Sequence, residues 1–225
     1  MTHLDSSQTS LARNLTVAAI GVWLLAATAA GVTGAVNAPG QPPLQLAVFV
    51  GVPISIGITA YALSSSVRAW ALGLSLTWLV GLHIWRVVGL GFVLAWLLGE
   101  LPGSVAIPEG LGDVAAAAGA LALLPGLRRG TASRGWLLAW NTFGLVDLVS
   151  AITMGVLYSN SALGVLATGG VTTELMVTFP VSLIPTFLVP LFILMHLLTF
   201  AKLARSRAVE DEAWTGIRRD PVQSH

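Results

Sequence analysis

The chain alternates long apolar runs with short polar breaks, and its charges lie almost entirely in the breaks. Runs of about 20 apolar residues match a hydrocarbon core about 30 Å thick, so the pattern predicts membrane-crossing helices. The first runs from about Leu15 to Val36 and stops at Asn37-Ala38-Pro39-Gly40-Gln41-Pro42-Pro43; the second runs from Leu44 to Leu63 and stops at Ser64-Ser65-Ser66. The third, from about Ala69 to Gly99, carries His83 and Arg86. At about 1.5 Å per residue it is roughly 45 Å long, so it must tilt or bend, with Gly89 and Gly91 the natural places. Val114 to Leu127, Trp136 to Tyr158 and about Val177 to Ala201 complete a set of six. No segment repeats another, which weighs against an inverted-repeat transporter.

Composition places the chain in a bilayer: 225 residues that are 55% hydrophobic and 9% charged, with a mean hydropathy of +0.83, suit no soluble domain. Eleven basic and ten acidic residues nearly cancel, which excludes a basic field for nucleic acid. The absence of cysteine excludes disulfides, thiolate nucleophiles and Cys-ligated metal. Arg13, Arg68, Arg128, Arg129, Arg134, Lys202, Arg205, Arg207, Arg218 and Arg219 all fall on one side of the six-span order, while Glu100, Glu109 and Glu174 fall on the other. Basic residues near spans stay in the cytoplasm, so both termini are expected there. The expected organisation is a cytoplasmic N-terminus over 1–14, a six-helix transmembrane domain over 15–203 and a cytoplasmic tail over 204–225. A signal peptide cut after a small residue such as Ala35 would leave five spans in the same orientation, but the first run's length and single basic residue favour a retained helix. Trp70 and Trp136 mark the inner boundary, and the stretch from Ser206 to His225 with Trp214 reads as a short mobile tail.

Ionisable residues inside spans carry the candidate chemistry. Measured from Arg68, His83 lies roughly 22 Å and Arg86 roughly 27 Å into the membrane; Asp113 lies roughly 22 Å from Arg128, and Asp147 roughly 20 Å from Arg134. Arg86, Asp113 and Asp147 are therefore expected to face one another, with His83 on the face of Arg86. One reading is structural: Asp113 follows Gly110-Leu111-Gly112 as a helix N-cap would, and an Arg86–Asp147 pair ties two spans together. The other is functional. Two carboxyls around one guanidinium leave one underpaired, a candidate general acid or proton carrier.

The stretch from Glu100 to Asp113 is rich in Pro and Gly. A fourth span starting at Val114 would be only about 21 Å long, so part of this stretch is expected to re-enter the membrane and line a cavity mouth beside Glu100. A helix beginning near Pro108 would remove that need. In the last run Pro185 and Pro190 cannot donate to the carbonyls of Val181 and Thr186, which predicts kinks and acceptors satisfied from elsewhere. A haem between His83 and His196 is disfavoured because their heights differ, roughly 22 Å against roughly 9 Å above Lys202, leaving His196 a packed core histidine. No metal site, nucleotide fingerprint or other cofactor motif is present, and no cofactor is expected.

Arg86-Val87-Val88-Gly89, Gly99-Glu100-Leu101-Pro102, Gly110-Leu111-Gly112-Asp113, Trp140-Asn141, Gly144-Leu145-Val146-Asp147 and Ile184-Pro185-Thr186-Phe187-Leu188-Val189-Pro190-Leu191 together resemble a set of uncharacterised bacterial inner-membrane proteins of similar length, over about Arg68 to Leu203. That resemblance implies location and fold but no activity. In size and in-helix acids the chain also resembles integral-membrane terpene cyclases, with no shared motif. The fold class expected is all-α: a polytopic six-helix bundle with a partly re-entrant Pro/Gly segment between its third and fourth helices. The favoured function is an enzyme acting by proton transfer on a lipid-soluble, isoprenoid-like molecule. In it Asp147 or Asp113 is the acid, Arg86 and His83 tune it, and Trp85, Trp140, Phe143, Asn141 and Glu100 hold the substrate. The alternatives are a proton-coupled carrier, with the last span as its moving part, and a structural subunit.

Overall fold

The computed structural model describes residues 6–219, with side chains from Ser7 to Ser206; of the tail expected from Ser206 to His225, the side chains beyond Ser206, Trp214 included, lie outside the described ones. All regular structure among the described residues is helical: α1 (Ser6–Val32), α2 (Leu44–Leu63), α3 (Ser65–Gly73), α4 (Leu76–Leu82), a 3₁₀ segment (His83–Gly89), α5 (Leu90–Leu97), α6 (Gly103–Arg129), α7 (Arg134–Leu157), a short 3₁₀ turn (Glu174–Val177), a π segment (Ile184–Leu188) and α8 (Val189–Arg219). Six stretches are long and apolar enough to cross a membrane: Ser7–Val32, Leu44–Leu63, Leu76–Leu97, Gly103–Arg129, Arg134–Leu157 and Ile184–Ser206. None of the residues of α2 is buried, and such an apolar surface belongs in lipid rather than in water.

The third apolar run is not one helix. Leu74 and Ser75 are extended, and Ser75 begins α4 by accepting a hydrogen bond from the Trp78 N–H at 3.1 Å. The short α3 before the break starts on Ser64 in the same way, and Arg68 donates to the last carbonyls of α2, Tyr61 and Ala62. The bend falls at Leu74–Ser75 rather than at Gly89 or Gly91. Heights measured from Arg68 therefore overstate depth. From Leu76, His83 is only about 10 Å along the helix, the same as the roughly 9 Å from Lys202 to His196. Lys202 donates to the Leu72 carbonyl and Arg134 to that of Leu203, so the elements share a level at this end.

The helix α6 also begins earlier than its apolar run predicts. Gly99, at φ +80°, ends α5 in a Schellman turn, with Glu100 N–H donating to Ala95 and Gly99 N–H to Trp96. A short link through Leu101 and Pro102 then leads directly into α6 at Gly103. At 27 residues α6 is about 40 Å long, so the length argument for a re-entrant segment disappears. Asp113 lies in mid-helix and is not an N-cap, and Glu109 is a buried helical residue, not a loop acid. Val105, Ala106, Glu109, Gly110, Ala116, Ala117, Ala120 and Leu124 are buried on one stripe, at the three- and four-residue steps of a helix face. The first span also differs from expectation, running from Ser6 to Val32.

The prolines of the last span are answered from α1. Pro190 has no N–H for the Thr186 carbonyl, and the indole Nε1 of Trp23 donates to that carbonyl at 3.0 Å while its ring packs on Phe187 at 4.8 Å between centroids. Further along α1, Gly31 is glycine because a Cβ there would run into the Ser182 hydroxyl. Trp23→Phe keeps the ring contact and removes only the donor, leaving a buried carbonyl short of a partner. The expected loss is about 1 kcal/mol, read as a lower Tm of the detergent-solubilised protein; an unchanged Tm would show that the Trp23 bond holds nothing.

Candidate functional site

The 3₁₀ segment sets the geometry of the polar layer. A helix of three residues per turn stacks every third side chain in a straight row, and His83, Arg86 and Gly89 are such a row. All three are buried, His83 and Arg86 at 1% exposure. An α-helix would have turned each about 60° from the last. The neighbour Trp85 points elsewhere and is 67% exposed.

Arg86 reaches three other elements. Its Nε donates to Asp113 Oδ1 on α6 at 2.6 Å, its Nη2 to Asp147 Oδ2 on α7, and its Nη1 to the Gly144 carbonyl on α7 at 3.1 Å, with His196 Nε2 of α8 at 3.5 Å. These are the two ion pairs among the described residues. A buried guanidinium is tolerated only when its nitrogens are partnered, and here each of the three has at least one partner.

Glycines make the room. A Cβ on Gly112 would run into Asp147 Oδ1, one on Gly89 into the Asp113 side chain, and one on Gly144 would lie 2.6 Å from His196 Cε1 and 3.1 Å from Arg86 Nη1. Close helix approach at small residues is the usual packing mode within lipid.

His196 is fixed by a reciprocal pair. Asn141 Nδ2 donates to the His196 carbonyl at 3.0 Å, which turns Asn141 Oδ1 to the ring, 2.8 Å from Nδ1. Nδ1 therefore carries the hydrogen and Nε2 offers a lone pair toward Arg86. His83 stacks on His196 at 4.1 Å between centroids, and it also meets Phe192 and the edge of Trp140. The two imidazoles are thus at one height, contrary to the sequence arithmetic, but stacked rings leave no gap for an axially ligated iron. No group of three or more potential metal ligands occurs among the described residues. Neither His83 nitrogen has a hydrogen-bond partner.

Of the residues singled out from sequence, Arg86, Asp113, Asp147, His83, Asn141 and Trp140 come together. Trp140 is buried and donates to the Ala116 carbonyl at 2.9 Å, tying α7 to α6. Trp85, Phe143 and Glu100 are exposed and stand outside the layer. The sequence reading missed His196, Gly144 and Glu109. Glu109 was legible as the residue four before Asp113, but only once the helix is known to begin at Gly103. Gly144→Ala is expected to destabilise the protein by about 1–3 kcal/mol by overpacking against His196 and Arg86, whereas Gly21→Ala, with nothing near its Cβ, should be neutral or stabilising. Equal Tm values for the two variants would refute this close packing.

A family model for a domain of unknown function, DUF8737, matches residues 43–204. The match runs from the start of α2 into α8, takes in the whole Arg86 cluster and leaves α1 outside. No curated protein and no solved structure matches the chain. With most of its length inside that match, the chain belongs to the DUF8737 family.

Proposed function

We propose that this is a multi-pass protein of the bacterial inner membrane, both termini cytoplasmic, that binds and releases protons at the Arg86 layer and couples the exchange to movement of α8, as a proton-coupled small-molecule carrier does. The observation that carries the reading is the setting of the layer. One guanidinium holds two carboxyls between two apolar plugs. Toward the Gly103 end lie Phe92, Ala95, Leu101, Val105, Ala106 and Met176. Toward the Arg129 end lie Val80, Ala120, Leu124, Leu137, Trp140 and Leu203.

Charge counting supplies the chemistry. Arg86 balances one ionised aspartate, and a second adds uncompensated charge in a medium where that is costly. Protonation of one carboxyl restores neutrality and releases one arm of Arg86. The α8 arm is the element placed to respond. A π segment and two prolines, Pro185 and Pro190, interrupt its start, and His196, six residues past Pro190, faces Arg86 Nη1. The basic residues Lys202 and Arg134, which donate to the Leu72 and Leu203 carbonyls at one end, support the cytoplasmic assignment of that end.

An enzyme acting on a lipid-soluble, isoprenoid-like substrate would use the same acid but needs pocket walls, and Trp85 and Phe143 are exposed instead. A cavity of about 40 Å³ lined by Asn37, Leu46, Ser159, Thr173 and neighbours includes none of Arg86, Asp113, Asp147 or His196.

The test is a pH jump on proteoliposomes adsorbed to a solid-supported membrane. The expected result is a transient charge displacement that Asp147→Asn reduces at least about tenfold and that Trp85→Phe leaves intact. Wild-type currents no larger than those of empty liposomes would defeat the reading.

A further inference from the structure

Glu109 is the one buried carboxyl that Arg86 does not pair with among the described residues. It is 3% exposed, lies one turn from Asp113 on the buried stripe of α6, and accepts at Oε1 from the Ser150 hydroxyl at 2.9 Å. Its other oxygen, Oε2, has no hydrogen-bond partner. Ser150 in turn lies three residues from Asp147, on the same face of α7. The charged groups within electrostatic reach are Asp147, Asp113 and Arg86, and no lysine or second arginine is among them. On its far side Glu109 meets apolar wall: Val105 and Ala106 stand one turn away on the same stripe.

Viewed along α7, this completes a ladder. Asn141 meets His196, Gly144 and Asp147 meet Arg86, and Ser150 meets Glu109, each rung three residues from the last. Polar groups from three other elements thus follow α7 over about 13 Å, winding about 60° around it at each three-residue step. A carboxylate with one oxygen turned to no donor is a costly species in such a place, and a neutral acid with its hydrogen on a carboxyl oxygen costs much less.

We propose that Glu109 is a second proton-carrying group, exchanging its proton with Asp147 through the hydroxyl of Ser150. The inference rests on the proton-binding reading of the Arg86 layer and deepens it by naming the route. Asp147 makes no hydrogen bond to Ser150 in this structure, so in the forward step protonated Asp147 swings one turn along α7 to donate to Ser150 Oγ; its O–H bond then breaks and its proton bonds to Ser150 Oγ. The hydrogen already on Ser150 passes along its existing bond to Glu109. Asp147 is left as a carboxylate paired with Arg86, Glu109 is left neutral, and Ser150 is unchanged overall. No redox partner is required. The reverse step returns the proton, with Arg86 standing between this route and the His196 side.

Difference infrared spectroscopy of the full chain in lipid bilayers across a pH jump tests the assignment. Protonated carboxylic acids absorb in a carbonyl window that ionised ones leave, so each proton-carrying group shows as its own band. Glu109→Gln should remove one band and leave the Asp147 band, and Ser150→Ala should shift the Glu109 band and slow its change at least about tenfold. In the unmutated protein, carboxyl ¹³C labelling of glutamate should shift the same band. Glu100 and Glu174 are exposed, so among the described residues a buried glutamate signal belongs to Glu109. If glutamate labelling moves no protonated-acid band, the Glu109 proposal falls while an Asp147-sensitive band keeps the Arg86 layer. If neither labelling nor Asp147→Asn alters the window, both fall.

Discussion

A guanidinium fixed at membrane depth dictates the rest of this molecule. Arg86 has N–H groups in one plane, and leaving any of them unmatched in a low-dielectric core is expensive. Matching them draws in Asp113 from α6, Asp147 and the Gly144 carbonyl from α7, and His196 from α8. Helices can come that close only where side chains are missing, which accounts for Gly89, Gly112 and Gly144. The 3₁₀ winding of His83–Gly89 follows from the same demand, because it aligns the arginine, the histidine below it and the glycine above it on one line.

The last helix and the first are bound to this centre differently. The α8 arm packs its buried face around His196, yet its start is a π segment between prolines whose freed carbonyl is taken by Trp23. The family match begins at residue 43, so the helix that supplies Trp23 lies outside the matched segment while the centre lies wholly inside it. The layer and its two plugs thus fall within the matched segment, and the α1 clasp joins it from outside.

Much of this was legible in the sequence, and the failures have physical causes. Run lengths and charge placement give six membrane-length helices because a bilayer imposes one length and one polarity on every span. The meeting of Arg86, Asp113 and Asp147 was readable because charges at membrane depth have few places to go. The segment from Gly103 to Gly112 was misread as a loop: glycine and proline weaken helices in water, but in a bundle they permit the approach that Gly110 and Gly112 make. His83 was placed too deep, and so apart from His196, because two extended residues, Leu74 and Ser75, divide an apolar run that has no break in hydropathy. Trp85 and Phe143 were taken as pocket walls because apolar periodicity cannot tell a lipid-facing aromatic from a cavity-facing one.

The most direct test of the account is a set of ¹³C–¹⁵N distances by solid-state NMR, between the Arg86 guanidinium nitrogens and the aspartate carboxyl carbons, on the full chain in lipid bilayers. Arg86 should show short couplings to two different aspartates, Asp113 through Nε and Asp147 through Nη2. Coupling to only one of them, or to neither, would contradict the account.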